Sequence, residues 1–353
     1  MSSIAEINLN HLLHNVQVLN SYLEPGVKQM AVIKADAYGH GAVSVAHALS
    51  PAVDWFAVVN TEEALELREA GIQKDILVFG PPKSSNAGLY LSYNLTAVIS
   101  DPEHFNILKE GSQYHIEFDT GMGRLGINPD EAEAIKEKIR GYSNLKCTGV
   151  MTHFASADIP QDPLTGRQIK AFERIKESMA DIPDLMFHAS NTAGILCFPD
   201  AQYHMVRHGL GMYGYDSSLV SESRLIPVLQ WKSCISLCKY IRKGTTVSYG
   251  ATWSAPNDGY LAVIPVGYAD GFKRSLGGKV KVLIEGEYYP TVGRVTMDFV
   301  MVFLGNHSFK PGTPVTLLGG KENNADIWAK HIDTIAFEIL CGLHKRVKRV
   351  YIR

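Results

Sequence analysis

The sequence predicts an α/β protein in which a (β/α)8 TIM-like barrel is followed by a C-terminal, mostly antiparallel β domain. Two observations support this fold class. The first two thirds of the chain alternates short apolar runs with longer amphipathic segments, and from about residue 231 short strand-like runs and Gly-containing turns dominate. With 353 residues, the chain suits one large and one smaller domain. We place the barrel at residues 9–230 and the β domain at 231–353, and leave open whether an N-terminal strand within residues 1–8 joins the β domain.

Short apolar runs are the predicted barrel strands. Helical patterns lie between most of them, which is typical of a parallel sheet, and about eight βα units close a barrel. An open, doubly wound sheet is the alternative that periodicity leaves open, although no Gly-x-Gly-x-x-Gly turn follows any predicted strand. The predicted strands are residues 29–33, 55–59, 75–79, 96–99, 115–118, 145–151, 186–189 and 204–206.

Capping patterns indicate where several helices begin. Asn60 precedes an acidic first turn, and Asp101 and Asn128 each stand before a proline at the first helical position. Gly71 and Gly141 stand where helix C-caps are expected. Outside these segments, helices are predicted at residues 11–23, 325–331 and 335–343.

Composition restricts the possible partners. A formal net charge of −2 gives no reason to expect nucleic acid or a membrane surface as partner. The first residues lack the basic and apolar regions of a secretory signal, and no apolar stretch is long enough to span a bilayer, so we expect a cytoplasmic protein. The five cysteines are odd in number and scattered, which favours reduced thiols over a disulfide framework or a metal site.

The most informative segment is residues 32–41, in which an apolar run ends at Lys34 and is followed by Tyr38, Gly39 and Gly41. An unpaired lysine is costly to bury, and an apolar wall lowers its pKa, which makes the amine a nucleophile or a base. The tyrosine and glycines downstream could bind a phosphate through a hydroxyl and backbone N–H groups. An isolated lysine here would instead be interpreted as one that snorkels at a strand end.

This segment resembles the pyridoxal 5'-phosphate (PLP) attachment motif of bacterial alanine racemases, in which the lysine forms a Schiff base with the cofactor. Further motifs similar to that family follow in family order through both predicted domains, and the chain is identified as a member on that basis. These motifs are residues 119–126, 152–158, 188–192, 206–214, 246–253, 267–271 and 293–298.

The resemblance implies a PLP-dependent racemase that interconverts L- and D-alanine. Racemisation removes the Cα proton and returns one to the opposite face, with PLP as the electron sink. Lys34 is the implied base on one face and Tyr249 on the other, with Tyr249 reaching the site from the partner subunit of a head-to-tail homodimer. The implied role is the supply of D-alanine for peptidoglycan, or catabolic use of alanine.

The resemblance also implies how the cofactor is held. His153 lies beneath the ring, and Arg207 faces the pyridine nitrogen, which stays unprotonated because arginine does not readily give up its proton. The implied phosphate contacts are Tyr38, Thr192, the backbone N–H groups of Gly209 and Leu210, and Tyr351.

Three residues are implied to contact or admit the substrate. Arg124 contacts the phenolic oxygen of the cofactor and the substrate carboxylate, the backbone of Met297 is a second carboxylate contact, and Tyr268 narrows the way in. One position departs from the family: Glu117 stands where many members carry a carbamylated lysine. Glutamate offers the same negative charge on a shorter arm.

Three other functions are weighed against alanine racemisation. A PLP-binding homeostasis protein has a related barrel but lacks the β domain at 231–353. A PLP decarboxylase shares both domains, but its ring nitrogen usually faces a carboxylate where this chain has Arg207. A racemase of serine, or of a broader range of amino acids, stays open because sequence reports pocket width only indirectly.

Overall fold

The computed structural model describes residues 3–216, 218 and 224–353. Its contacts divide the chain into two compact units. The barrel unit comprises Leu12–Ala37 and Ala42–Ile226, and the sheet unit comprises the N-terminal segment up to His11, the turn Tyr38–Gly41, and Pro227–Arg353. The limits lie within a few residues of the predicted 9–230 and 231–353, except that the short turn groups with the sheet unit.

The barrel unit contains a closed, parallel, eight-stranded barrel, which confirms the predicted fold class and excludes the open sheet. All eight apolar runs form strands, because each run buries side chains on both faces, as parallel strands covered by helices do. The strands are β2 (Lys28–Val32), β3 (Trp55–Val58), β4 (Asp75–Val78), β5 (Leu95–Ile99), β6 (Gln113–Glu117), β7 (Lys146–Met151), β8 (Met186–His188) and β9 (Met205–His208).

Helices connect most of these strands. Asn60 caps its helix as predicted, since its side chain accepts a hydrogen bond from the Glu63 N–H at 2.8 Å. The first helix begins two residues earlier and ends three residues earlier than predicted. The helices are α1 (Leu9–Asn20), α2 (Lys34–Gly39), α3 (Ala42–Leu49), α4 (Thr61–Glu69), α5 (Ala87–Ser92), α6 (Ala132–Gly141), α7 (Pro163–Ser178) and α8 (Thr192–Cys197).

The proline-initiated segments differ from the prediction. Asp101 and Asn128 cap their segments, but the residues that follow form 3-10 helices, Pro102–Asn106 and Pro129–Glu131. Only the second continues into an α-helix, α6. In the first, Phe105 is the one buried residue, so the segment lacks the apolar stripe that stabilises a longer helix.

The sheet unit is built on a nine-stranded, mostly antiparallel sheet, as predicted. The N-terminal strand β1 (Ser3–Asn8) lies inside this sheet, antiparallel to β10 (Leu229–Cys234) and parallel to the C-terminal strand β19 (Lys348–Ile352). The other strands of the sheet are β11 (Leu237–Ile241), β14 (Gly259–Ile264), β15 (Lys281–Ile284), β16 (Glu287–Val292), β17 (Val300–Gly305) and β18 (Pro314–Leu318). A separate hairpin consists of β12 (Thr246–Val247) and β13 (Trp253–Ser254).

Two short helices pack in the sheet unit. They are α9 (Ala325–His331), as predicted, and α10 (Ala336–Cys341), shorter than the predicted 335–343. Trp328 of α9 lies 4.7 Å, centroid to centroid, from the buried ring of Phe272 and packs near Trp231 of β10. These three aromatic side chains are fully buried within this unit.

The five cysteines, all within the described residues, form no disulfide with one another. Through residues 3–216, 218 and 224–353, no helix has the length and apolar character needed to cross a bilayer.

Gly149 of β7 provides a test of barrel packing. A Cβ there would lie 2.8 Å from both the His115 ring and the Met186 carbonyl oxygen, and the backbone oxygen cannot move away cheaply. We expect Gly149→Ala to destabilise the protein by about 1–3 kcal/mol and to lower its melting temperature. Gly166→Ala, inside α7 with open space around the new Cβ, is the control. It should stabilise by about 0.5–1 kcal/mol, and similar melting temperatures for the two variants would contradict this packing.

Candidate active site

Five side chains with acid–base chemistry lie at one rim of the barrel. Glu117 and His188 end β6 and β8, and Arg207 lies within β9. Lys34 and His153 follow β2 and β7 by two residues each. Because the strands of a closed parallel barrel end at the same rim, the fold brings these groups together, and loops at this rim carry the active sites of such barrels.

The segment after Lys34 has an unusual backbone. Ala35, Asp36, Ala37 and Tyr38 have φ between 52° and 55°, in the left-handed region, so the short helix α2 includes four consecutive residues of this kind. Each non-glycine residue in this conformation costs roughly 1–2 kcal/mol. Such strain persists only where the surroundings fix it, and it concentrates at functional sites.

Glu63 of α4 holds the start of this segment within the barrel unit. Its carboxylate accepts hydrogen bonds from the Ala35 N–H and the Val59 N–H, each at 2.8 Å. The half-buried Lys34 side chain places its Nζ 5.9 Å from the centroid of the Phe79 ring. Lys34 therefore follows β2 with its amine near one aromatic ring.

Arg207 makes hydrogen bonds to several groups at the rim. It is 2% exposed, and its Nη1 donates to His188 Nδ1 at 2.7 Å. Its Nη2 donates to the carbonyl oxygens of Thr152 and Ala189 at 2.8 and 2.7 Å. Burial lowers the pKa of the guanidinium to about 10, against the opposing effect of Glu117, so Arg207 remains a cation at neutral pH.

Because Arg207 can only donate hydrogen bonds, it determines which ring nitrogen carries the proton in two buried histidines. His188 Nδ1 must accept from arginine, so the His188 proton is on Nε2. That N–H points at His115 Nδ1, 2.9 Å away, so His115 carries its proton on Nε2 as well. Burial, reinforced by the charge of Arg207, lowers the pKa of His115 to about 3 and that of His188 well below its usual range. Both rings are therefore neutral.

Arg207 also determines which ring nitrogen of His153 carries the proton. Arg207 Nη2 also lies 3.2 Å from His153 Nδ1, which must accept, so His153 carries its proton on Nε2. Burial and the charges of Arg207, Arg124 and Lys34 lower the pKa of His153 well below its usual range. His153 is thus a neutral N–H donor at the rim.

Glu117 differs from the expectation of a full negative charge. Its side chain is 5% exposed, and burial raises the pKa of the carboxyl to about 7, although Arg207 and Arg124 oppose the shift. The carboxyl therefore titrates near neutral pH, well above the usual range of a glutamate. Arg124 itself is exposed, in the loop after β6.

Thr192 and the loop after β9 form a compact backbone cradle. The Thr192 hydroxyl oxygen accepts from the N–H groups of Gly209 and Gly211 at 3.2 and 3.1 Å. A Cβ on Gly211 would lie 2.6 Å from Thr192 Cγ2, so the close approach requires glycine. Leu210 begins a 3-10 helix, Leu210–Tyr213, at the same place. Three predicted phosphate contacts are therefore adjacent, with the Gly209 N–H engaged by Thr192.

In the sheet unit, Tyr38 begins the turn Tyr38–Gly41, and Tyr351 of β19 packs against this turn. Tyr38 is 6% exposed and packs on the Phe337 ring, with centroids 5.5 Å apart. Burial raises the pKa of its phenol well above the usual range, so the hydroxyl keeps its proton. The phenol of Tyr351 lies against Gly41, where a Cβ would come within 1.9 Å of its oxygen.

Tyr268 and Met297 are brought together by two loops of the sheet unit. The Tyr268 N–H donates to the Thr296 carbonyl oxygen, and the Ala269 N–H donates to the Met297 carbonyl oxygen, each at 3.0 Å. Both predicted side chains are exposed, 39% for Tyr268 and 53% for Met297.

Tyr249 occupies a tight, strained turn in the sheet unit. Ser248 and Ala251 on either side have φ of 66° and 47°, and Tyr249 is 72% exposed. An open groove of ≈ 450 Å³ lies beside it, and its lining includes Val247, Phe299 and Met301. The chain thus maintains a strained turn that presents a large aromatic side chain outward.

Sequence reasoning assigned no role to three groups that the structure connects to this site. His188 lies in a quoted motif, but its bond to Arg207 is non-local, as is that of His115 to His188. Glu63 was interpreted only as part of a helix start, whereas its carboxylate also holds Ala35. The role of His188 could have been predicted from a histidine at a strand end opposite a buried arginine.

Comparisons with known proteins agree across the chain. The family model described as "Alanine racemase, N-terminal domain" matches residues 7–217, and "Alanine racemase, C-terminal domain" matches residues 228–351. An alanine racemase of Nostoc sp. is 40% identical over 368 residues, covering 98% of this chain and 94% of that protein. One of Symbiobacterium thermophilum is 36% identical, covering 98% and 96%.

Solved structures show the same likeness. An alanine racemase from Clostridium difficile superposes with a TM-score of 0.94 at 34% identity, covering 100% of this chain and 96% of that one. The enzyme from E. faecalis gives 0.94 at 31% identity, covering 99% and 98%.

Glu117→Gln tests the protonation of the buried carboxyl. Because the folded protein raises the pKa of Glu117 from 4.5 to about 7, its protonated form stabilises the fold below pH 4.5, and this contribution is lost as the pH rises through 7. In cofactor-free protein, we expect the Glu117→Gln variant to match wild type near pH 4.5 and to be more stable by up to about 3 kcal/mol at pH 8. Urea unfolding at both pH values measures the difference, with the exposed Glu131→Gln as control. A stability difference that does not change with pH would contradict the raised pKa.

Proposed function

The chain belongs to the alanine racemase family of enzymes, and from this premise we propose that it interconverts L- and D-alanine with PLP as cofactor. The observation that carries the proposal is the buried, donor-only Arg207 at the same barrel rim as Lys34. We further propose that the enzyme works in the cytoplasm and supplies D-alanine for peptidoglycan.

The residues at the rim fit this cofactor. The hydrogen bonds that Arg207 makes to described residues use Nη1 and Nη2, so its Nε–H would be the cationic donor for the pyridine nitrogen. Lys34 would bind the aldehyde carbon. When bound, PLP supplies an electron sink that makes the Cα–H of an amino acid acidic.

The phosphate contacts follow from hydroxyl and N–H donors. Tyr38 keeps its phenolic proton, and Thr192 accepts two backbone N–H groups, which leaves its own hydroxyl proton to donate. Leu210 would add its backbone N–H and Tyr351 a second phenol, whereas the Gly209 N–H would have to exchange its bond to Thr192 for one to the phosphate. A helix start in a late loop of the barrel is a usual place for a phosphate.

Proton transfer requires one carrier on each face of the substrate. We assign Lys34 to one face and the partner subunit's Tyr249 to the other, in a homodimer. The support is physical: a 72% exposed tyrosine held in a strained turn beside an apolar groove is costly unless it meets a partner surface.

Substrate binding falls to the remaining predicted residues. Arg124 supplies a cation for the substrate carboxylate, and the backbone of Met297 supplies a second contact. Tyr268 and Tyr249 would restrict the side chain that fits, which favours alanine. Racemisation of serine or of a broader range of amino acids is the second candidate. Arg207 disfavours a decarboxylase, because a donor that keeps its proton leaves the ring nitrogen unprotonated and electron withdrawal weak.

Hydrogen–deuterium exchange tests the proposal directly. Purified protein with PLP in D2O should exchange the Cα hydrogen of both L- and D-alanine, measured by proton NMR. Lys34→Ala should abolish exchange of both enantiomers and the visible absorbance of the bound cofactor. Tyr249→Phe should slow exchange of L-alanine by about 10²–10⁴-fold, the usual contribution of a general base, with a smaller effect on D-alanine.

The matched control is Tyr240→Phe, which removes another exposed phenol of the sheet unit and should leave both rates unchanged. Equal loss for both enantiomers in Tyr249→Phe would contradict the two-base assignment. Absence of exchange by the wild type would overturn the proposed function, and faster exchange of serine would favour the second candidate.

A further inference from the structure

We propose that Arg349 is a positioning residue for the cofactor phosphate, because it holds the turn Tyr38–Gly41, in which Tyr38, Gly39 and Gly41 have positive φ, and so directs the Tyr38 phenol. The inference rests on the proposed function, and it assigns a new role in cofactor binding within the sheet unit.

The Arg349 guanidinium bonds four backbone carbonyl oxygens. Its Nε donates to Gly39 at 3.0 Å, inside the turn. Its Nη atoms donate to the carbonyls of His344, Val347 and Leu343 at 2.8, 2.7 and 2.9 Å. Arg349 thus ties the turn to the loop that joins α10 and β19. A planar fork can reach several carbonyls from one fixed position, which a lysine ammonium cannot do.

The turn is also packed directly on backbone. Gly39 has φ of +81°, and a Cβ there would lie 2.4 Å from the Leu340 carbonyl oxygen of α10. Gly41 has φ of +93° and lies under the Tyr351 phenol. Neither position has space for a side chain, so the turn has little freedom to shift while the Arg349 bonds persist.

These contacts balance the strain in the preceding residues. Tyr38 has φ of 55° and has no glycine-like freedom, so an unrestrained chain would leave this conformation. The Arg349–Gly39 bond acts on the peptide group that joins Gly39 to His40, one residue beyond Tyr38. Losing it should let the Tyr38 side chain change direction without removing any group that touches the cofactor.

Cofactor titrations of apo-protein test the role. We expect Arg349→Gln to weaken PLP binding by about tenfold or more, the effect of losing a charged hydrogen bond. Binding of pyridoxal, which lacks the phosphate, should change by less than about twofold, well under the value of one hydrogen bond. Fluorescence quenching reports both affinities, and the melting temperature of each apo-protein reports folding. Lys348→Gln removes an exposed cation from the same strand and should change neither affinity.

A double-mutant cycle with Tyr38→Phe identifies the route. If Arg349 acts through Tyr38, adding Arg349→Gln to Tyr38→Phe should cost little further PLP affinity, whereas independent effects would add. Arg349→Lys keeps the charge and the hydrocarbon arm but not the fork, so it should fold and bind PLP less tightly than wild type.

The outcomes separate the two proposals. Equal losses for PLP and pyridoxal, additive losses with Tyr38→Phe, or unchanged PLP binding in both Arg349 variants would overturn this inference alone. Failure of both Arg349 variants to fold would show a purely structural role and would also overturn it. A wild-type protein that binds no PLP would overturn the proposed function, and this inference with it.

Discussion

The barrel rim depends on one buried cation that can only donate hydrogen bonds. Arg207 is 2% exposed, and each contact it makes within the barrel unit is to an acceptor. A buried guanidinium without such partners would be unstable, so the carbonyls and imidazoles around it are a requirement of folding. The same bonds determine which nitrogen of His188 and of His153 carries a proton. The hydrogen bonds of Arg207 therefore both stabilise the barrel unit and determine which nitrogens of His188 and His153 are protonated.

A second constraint is the strained connection after β2. Four consecutive non-glycine residues hold positive φ, and each end of the segment is fixed by a charged side chain. Within the barrel unit, the Glu63 carboxylate binds the Ala35 N–H. Within the sheet unit, the Arg349 guanidinium binds the Gly39 carbonyl. An anion takes the N–H side and a cation takes the carbonyl side, so the charges match the backbone groups that the strained conformation exposes.

Much of the fold could be predicted from the sequence because its determinants are local. Buried parallel strands require continuous apolar runs, and each run assigned to the barrel is a strand. Candidate site residues such as Lys34 and Arg207 are predicted through motifs, whose chemistry is carried by residue type and order. The sheet unit was recognised from its turns and β-branched runs.

What could not be predicted depends on contacts distant in sequence. Ala35 and Ala37 are of a residue type that rarely adopts positive φ, so their conformation is imposed from outside the segment. The parallel pairing of β1 with β19 joins the two ends of the chain. The charge of Glu117 follows from its burial, which its neighbours in sequence do not reveal.

The imidazoles of His188 and His115, which extend from Arg207, have a consequence for proton transfer. His115 and His188 have the geometry of a proton wire, yet neither end can pass a proton on. Arg207 has no lone pair to receive one, and within the described part of the chain the His115 Nε2–H has no acceptor. The two imidazoles therefore cannot transfer a proton from the rim into the barrel interior.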